Sequence, residues 1–266
     1  MKTYNETKLA QELIRFPTIK TEDKGIMKFL SKKLTAIGFK CTLIKSKGTG
    51  PRPGLNLYAR YGKSKPHIMY LGHTDVVANL DNWKLPPFKA VVSKGYLNGR
   101  GAQDMKGGIA CWISAVSNFV KNNKFKGSIS IIISADEETT GYGCPAVMRY
   151  LRKKGEKIDF SVVGEPSSNK SVGDEIRIGR RGSMNGVITV YGKSGHSAFY
   201  GSYINPCTAL AKIIAKLKSS PLDNGTKYMP PSNLEFTKMN VENLSENVVP
   251  QNASAKFNVR FNTKYR

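Results

Sequence analysis

The sequence predicts an α/β domain with a mixed, largely parallel sheet and flanking helices, followed by an incomplete ferredoxin-like α+β domain. In residues 1–178, short apolar runs alternate with amphipathic helical stretches, which is typical of α/β layers. From residue 179 onward, the strands instead alternate apolar and polar residues, as half-buried strands do. An apolar content of 39% over 266 residues is enough for a folded core. We therefore predict two domains, residues 1–178 and 179–266.

The first domain is predicted from the spacing of its apolar residues. Apolar positions recur at helical spacing in four stretches, at about residues 5–16, 23–37, 106–120 and 144–154. Four short apolar runs are predicted strands, at residues 55–61, 67–71, 129–134 and 160–163. Residues 129–134 form a nearly continuous run of isoleucine, which predicts a strand buried on both faces, and we expect the same burial for residues 160–163.

The second domain begins with an alternating strand at residues 187–191 and an amphipathic helix at 206–218. Two further alternating strands follow, at residues 233–241 and 254–262. This β-α-β-β order is the start of a ferredoxin-like domain, which normally continues with one more helix and strand. The chain ends at Arg266 before they appear, so we expect this domain to be incomplete.

The chain is strongly basic, with a formal charge of +23 from 42 Lys and Arg against 19 Asp and Glu. A lysine-rich solvated surface is the favoured interpretation, steering of an anionic substrate is the second, and nucleic-acid binding is the least favoured because no nucleic-acid motif accompanies the charge. The four cysteines form no C-x-x-C pair, and neither a signal peptide nor an apolar span of membrane length is visible. We expect a cytoplasmic protein without a membrane partner.

Two candidate site clusters follow the strand at residues 67–71. His73 and Asp75 lie in Gly72-His73-Thr74-Asp75, where the carboxylate could fix the tautomer of the imidazole. Asp104 lies in a glycine-rich segment at the mouth of the next helix. The alternatives are a structural histidine beside a turn aspartate and an ordinary N-cap aspartate.

The remaining clusters also follow predicted strands. Asp136, Glu137 and Glu138 end the isoleucine-rich strand, and adjacent acids at a buried strand end would repel one another without a cation. Glu165 follows the next strand, and His196 lies in the second domain. A solvated acidic turn, a turn acid before a proline and a surface histidine are the respective alternatives. Open α/β sheets bind ligands beyond the carboxyl ends of their strands, which favours a shared site.

Taken together, the candidate ligands are His73, Asp104, Glu138 and Glu165, which offer nitrogen and oxygen donors without thiolate. Such a set suits Zn²⁺, Co²⁺ or Mn²⁺. An aspartate that bridges two ions about 3.5–4 Å apart would make a two-metal hydrolase. The residues therefore predict a metal-dependent hydrolase.

The order of these motifs along the whole chain resembles the M20 metallopeptidase family. The shared motifs are G-H-T-D, G-R-G-A-x-D-M-K-G, D-E-E, G-E-P-S-S and G-H-S-A. Within the family, the segments at 164–168, 179–183, 247–250 and 258–261 are most similar to its desuccinylases. The resemblance implies a zinc-hydrolase catalytic domain, lacking its C-terminal part, and a partial lid or dimerisation domain, with a homodimer as the family's usual assembly.

The resemblance also implies a role for each matching residue. His73 and Glu165 would bind the first zinc, Asp104 would bridge two zinc or cobalt ions, and Glu138 would bind the second. Glu137 would be the general base and Asp75 would support His73, while His196 would stabilise the oxyanion, in the family often from a partner subunit. The anionic substrate would contact Arg180, Asn247 and Arg260.

The implied reaction is hydrolysis of the succinyl amide of N-succinyl-LL-2,6-diaminopimelate, in lysine and cell-wall precursor biosynthesis. Members of the family run on past this endpoint and close the second zinc site with a further histidine, whereas this chain has only three histidines. We therefore expect a weak second site, poor activity of the chain alone and possible completion by a second polypeptide. An inactive split-gene product, a related deacylase such as an acetylornithine deacetylase, and a basic binding protein on a hydrolase fold remain alternatives.

Overall fold

The computed structural model describes residues 2–47, 53–78, 83–242 and 245–264. The chain divides into two compact units, Met1–Ser168 and Asn169–Arg266. The division falls earlier than the predicted boundary after residue 178, because residues 169–178 cluster with the second unit. Within the described ranges, no helix has the length and apolar character needed to cross a bilayer.

The first unit contains the helices and strands that the apolar spacing predicts. Its helices are α1 (Glu6–Ile14), α2 (Ile26–Thr35), α3 (Gly107–Asn122) and α4 (Gly143–Lys153). Its strands are β1 (Lys40–Ser46), β2 (Gly54–Gly62), β3 (His67–His73), β4 (Val91–Ser93), β5 (Tyr96–Asn98), β6 (Ser128–Ser134) and β7 (Phe160–Val163). Strand β1 and the short hairpin of β4 and β5 are not among the predicted elements.

The main sheet has the strand order β1-β2-β6-β3-β7. Strand β3 pairs in parallel with β6 and with β7, whereas β1 and β2 join the sheet in antiparallel pairs. The predicted mixed α/β sheet is thereby confirmed. Because three neighbouring strands run the same way, the segments that follow His73, Ser134 and Val163 all leave from one edge of the sheet.

The core lies on both faces of this sheet. On one face, Ile131 and Ile133 of β6 pack in a cluster with buried residues of α1, α2 and α3. On the other face, Ile132 packs with Val147 of α4. All seven residues of β6 are buried, as the isoleucine run predicts. The strand is therefore a rigid support for the acids that follow it.

The predicted burial of β7 is wrong. Phe160 is 64% exposed, Val162 43% and Val163 54%. The physical reason is the position of β7 at the end of the strand order, where β3 is its single strand neighbour among the described residues. The apolar run therefore predicted the strand correctly but not its exposure to solvent.

Within its described residues, the second unit contains a three-stranded antiparallel sheet and one long helix. Its elements are β8 (Gly182–Tyr191), β9 (Gly195–His196), α5 (Pro206–Lys218), β10 (Asn233–Asn240), β11 (Val248–Val249) and β12 (Asn252–Phe261). The sheet order is β10-β12-β8, and Leu210 of α5 packs with Ala253 and Ala255 of β12. The predicted β-α-β-β order is confirmed. Helix α5 begins with Pro206 at its N1 position, and the side chain of Asn205 caps its N-terminus.

Candidate metal centre

His73 is the centre of the candidate site. It ends β3, and the residue is almost fully buried. Its Nε2 atom lies 3.0 Å from Oδ1 of Asp104, 3.5 Å from Oε1 of Glu165 and 3.9 Å from Oε2 of Glu137. Three carboxylates from distant parts of the chain therefore face one imidazole nitrogen.

The structure brings all four predicted metal ligands together. Ligand atoms of His73, Asp104 and Glu138 lie within 4.8 Å of one another, and so do those of His73, Glu137 and Glu165. Both groups share His73, and their acids come from the segments that follow β6 and β7 and from the turn that precedes α3. The fold thus brings together residues that are up to 92 positions apart in the sequence (165 − 73).

Asp75 contacts His73 and the segment after β6. The Nδ1 atom of His73 lies 3.0 Å from the backbone oxygen of Asp75 and 3.4 Å from its Oδ1 atom. The Asp75 carboxylate also accepts hydrogen bonds from the backbone N–H groups of Glu137 (3.0 Å) and Glu138 (2.9 Å). Asp75 therefore orients the imidazole and also holds the backbone beneath two candidate site glutamates.

Asp104 lies in an irregular turn, Ala102–Lys106, that precedes α3. Its backbone φ and ψ of −120° and 99° are not helical, and the N-cap of α3 is Lys106. Asp104 therefore does not have the N-cap role that the sequence left open. Its side chain is about half exposed and points at His73.

The electrostatics of the centre favour a positive charge. Burial lowers the pKa of His73, but the hydrogen bond to Asp75 and the charges of Asp75, Glu165 and Glu137 outweigh it and raise that pKa to about 9. The pKa of Glu138 is raised by burial and then by the negative charge of Asp104. A divalent cation would relieve this crowding of carboxylates, and the imidazole and carboxylate donors fit Zn²⁺, Co²⁺ or Mn²⁺.

Two buried charged residues beside the centre were not assigned a role from the sequence. Lys106 is fully buried, and its Nζ atom donates to the backbone oxygen of Phe16 at 2.7 Å. Burial lowers the pKa of Lys106 to about 7 although the charge of Asp75 opposes this. Asp136, the first acid of the D-E-E run, is also fully buried. Two features of the sequence could have indicated these residues: Lys106 lies inside a glycine-rich turn, and Asp136 follows a buried strand.

A cavity of about 590 Å³ adjoins Asp104 and Glu138 within the first unit. Its wall includes Val76, Leu97 and Trp83, with the Arg100 guanidinium lying 5.0 Å from the centre of the Trp83 ring. The cavity has both apolar and charged walls, so it can accommodate an aliphatic chain beside polar groups.

The other predicted site residues lie in the second unit. His196 is exposed on β9; its Nδ1 atom accepts a hydrogen bond from the backbone N–H of Ala198 (3.2 Å), and its Nε2 atom lies 3.2 Å from Nδ2 of Asn247. Arg180 precedes β8 and Arg260 lies on β12, and both are exposed. The structure therefore brings His196 and Asn247 together. The roles predicted for these two residues and for Arg180 and Arg260 remain predictions.

Comparisons with known proteins agree with this geometry. Residues 69–262 match the model of peptidase family M20/M25/M40. The chain is 49% identical to a succinyl-diaminopimelate desuccinylase of Pelagibacter ubique over 269 aligned residues, covering 100% of the chain and 70% of that relative. A protein of the same name from Ehrlichia canis is 43% identical, and the alignment covers 96% of the chain and 68% of that relative.

Solved structures of low sequence identity share the fold. An M20 family metallo-carboxypeptidase of Sulfolobus solfataricus superposes with a TM-score of 0.71 at 19% identity, covering 99% of the chain and 72% of that structure. A Bacillus subtilis protein described as a dinuclear metal-binding M20 peptidase has a TM-score of 0.62 at 16% identity, covering 97% of the chain and 64% of that structure.

Proposed function

The chain belongs to peptidase family M20/M25/M40, and on this premise we propose that it is a metal-dependent amide hydrolase of N-succinyl-LL-2,6-diaminopimelate. The products would be succinate and LL-diaminopimelate, a precursor of lysine and of cell walls. The observation that carries the proposal is the convergence of one imidazole and four carboxylates, three of which follow parallel strands while the fourth, Asp104, comes from the turn that precedes α3. The names of the relatives that match nearly the whole chain supply the substrate.

We assign the metal ligands as the family resemblance implies. His73 and Glu165 would hold one ion, Glu138 the other, and Asp104 would bridge the two. The 3.0 Å and 3.5 Å separations of His73 Nε2 from Asp104 and Glu165 support this assignment. Zinc and cobalt are the proposed metals because the donors are imidazole and carboxylate.

Glu137 is the proposed general base. Bound divalent ions would supply Lewis acidity, polarising the amide carbonyl and lowering the pKa of a water. The Glu137 side chain is about half exposed and lies beside His73, so its carboxylate can accept a proton from that water. The same carboxylate would then carry the proton to the leaving amine. The backbone N–H of Glu137 is fixed by Asp75, and this limits the positions that the Glu137 carboxylate can adopt.

Residues of the second unit would recognise the substrate. We assign oxyanion stabilisation to His196, and contacts with the substrate carboxylates to Arg180, Asn247 and Arg260. The +23 formal charge supports long-range attraction of a substrate that carries several carboxylates. A homodimer in the cytoplasm is part of the same proposal.

The test is a deacylation assay on the purified chain loaded with Zn²⁺ or Co²⁺. We expect succinate release from N-succinyl-LL-diaminopimelate to exceed acetate release from N-acetylornithine, and Glu137→Gln to abolish both. A second arm adds a polypeptide with the part of the Pelagibacter ubique relative that the chain does not cover. Preference for the acetyl substrate would favour the deacetylase alternative, and no turnover in either arm by metal-loaded protein would contradict the proposal.

A further inference from the structure

The segment that carries Glu137 and Glu138 is held by a second buried carboxylate, that of Asp136. The Oδ2 atom of Asp136 accepts hydrogen bonds from Thr140 Oγ1 at 2.7 Å and from the Tyr142 N–H at 2.8 Å. Its Oδ1 atom accepts from the Gly143 N–H at 2.8 Å. The backbone oxygen of Asp136 also accepts from the Gly141 N–H at 2.8 Å. One residue therefore closes the whole turn from 136 to 143.

These contacts place the Asp136 carboxylate at the N-terminus of α4. No side chain within the helix caps this end, and its N-cap residue is Tyr142. The Asp136 carboxylate therefore satisfies N–H groups that would otherwise lack partners, and the helix dipole favours its negative charge. The helix in turn packs through Val147 on the sheet, so the turn is fastened to the core.

The fit around Asp136 is close. A Cβ atom at Gly143 would lie 2.5 Å from Oδ1 of Asp136 and 2.2 Å from Oδ1 of Asn56, so that only glycine allows this approach. The Asn56 side chain accepts from the Ala135 N–H at 3.1 Å and fixes the chain just before Asp136. The carboxylate has no room for alternative positions, which is what a support for a metal ligand requires.

Asp75 holds the opposite side of the same segment, through the N–H groups of Glu137 and Glu138. The backbone at Glu137 and Glu138 is thus fixed by Asp75, and the chain on either side of them by Asp136. Both supporting carboxylates are buried, while the Glu137 and Glu138 side chains are partly accessible. The D-E-E run therefore contains one acid directed into the core and two directed toward the metal centre.

We propose that Asp136 is a positioning residue that sets the affinity of the centre for divalent metal by fixing the turn that bears Glu138. The inference rests on the proposed function, because that function assigns Glu138 as a metal ligand. It extends that function by giving Asp136, the first acid of the D-E-E run, a role in positioning Glu138. A purely structural role in anchoring α4 is the competing explanation, and it makes a different prediction about metal affinity.

The test is calorimetric titration of Co²⁺ into metal-free chain, with Asp136→Asn compared with Asp159→Asn. Asp159 lies in the same unit, where it accepts from the His67 N–H at 2.8 Å at the opposite end of β3. We expect Asp136→Asn to weaken Co²⁺ binding by about 10–100-fold, the range for residues that support metal ligands. Asp159→Asn should change it by less than about twofold, although both variants lower the melting temperature of the metal-free chain.

Each outcome of the titration bears on the inference. Wild-type Co²⁺ affinity in a folded Asp136→Asn variant would overturn it and leave the proposed function intact. A wild-type chain that binds no Co²⁺ would overturn both. If circular dichroism shows that Asp136→Asn does not fold, Thr140→Val removes a single hydrogen bond to Asp136 and should weaken Co²⁺ binding about fivefold, the value of one hydrogen bond. Unchanged affinity in that folded variant would equally overturn the inference.

Discussion

Replacing Gly164 by alanine tests whether close packing behind the centre fixes Glu165. A Cβ atom at Gly164 would lie 1.9 Å from the hydroxyl oxygen of Tyr70 and 2.4 Å from Cζ of the same ring. The Tyr70 ring is buried and stacks on Trp112, with ring centroids 4.9 Å apart. Because the ring is confined, the chain at Gly164 must move by about 1.5 Å to restore ordinary contact.

The expected loss follows from this displacement. Overpacking a core costs about 1–3 kcal/mol, and we expect Gly164→Ala to reach the upper end because the N–H of Gly164 is also bonded to the Leu71 oxygen at 3.0 Å. The adjacent Glu165 would shift with the backbone. We therefore expect weaker Co²⁺ binding in addition to a lower free energy of unfolding.

Urea unfolding of the metal-free chain measures the change in the free energy of unfolding, and Co²⁺ titration measures the change in metal binding. Gly179→Ala is the matched control, because its added Cβ would lie at an ordinary 3.4 Å from Cε of Met229 and should change the unfolding free energy by less than about 0.5 kcal/mol. Removing the Tyr70 hydroxyl in a Gly164→Ala, Tyr70→Phe double variant should not restore stability, since the 2.4 Å approach to Cζ remains. Unfolding free energies for Gly164→Ala and Gly179→Ala that agree within about 0.5 kcal/mol would refute the reasoning.

Three further predictions follow from the same structure. His73→Ala should abolish binding of the Co²⁺ ion that His73 and Glu165 are proposed to hold, measured by titration, whereas His196→Ala should leave it unchanged; retained binding of that ion in His73→Ala would contradict the proposed centre. Glu137→Gln should lower kcat for the succinyl substrate at least about 100-fold while Co²⁺ affinity stays near the wild-type value, and a reversed pattern would make Glu137 a ligand instead. Hydrogen bonds, the largest contribution being from Ser232, lower the pKa of Asp223 to about 2, so its contribution to stability is present above pH 3.8 and is lost as the pH falls toward 2. Asp223→Asn should therefore be less stable than wild type in urea unfolding at pH 6 but not at pH 2, and a constant difference would refute this assignment.

The location of the centre could be predicted from the sequence because it depends on one topological rule. His73, Glu138 and Glu165 each follow an apolar run, and parallel strands bring such segments to one edge of a sheet. The rule needs only the existence and type of each strand, which β-branched runs such as that of β6 indicate well. His73, Glu138 and Glu165 therefore converge although the exact strand boundaries differ from those predicted, whereas the rule does not cover Asp104, which precedes α3.

Burial and hydrogen-bond partners could not be predicted in the same way. The run Phe160–Val163 is as apolar as a central strand, but its exposure depends on which strands pair beside it. The sequence of β1, Lys40–Ser46, mixes polar and apolar residues, so that neither periodicity is clear. The donors to Asp136 come from up to seven residues away, and their convergence requires the turn to be folded.

The acids of the centre divide into two classes, which explains how so many can share a small volume. The carboxylates of Asp75 and Asp136 are buried and already accept backbone N–H groups, so their negative charges are compensated by the protein itself. The carboxylates of Asp104, Glu137 and Glu138 are more accessible and face His73 or one another instead. Among the described residues, their charges have no backbone partner of this kind, so that a bound cation would reduce the repulsion among them. The fold therefore uses backbone donors to fix the first class in place, and leaves the second class available for the proposed roles of Asp104 and Glu138 as metal ligands and of Glu137 as the base.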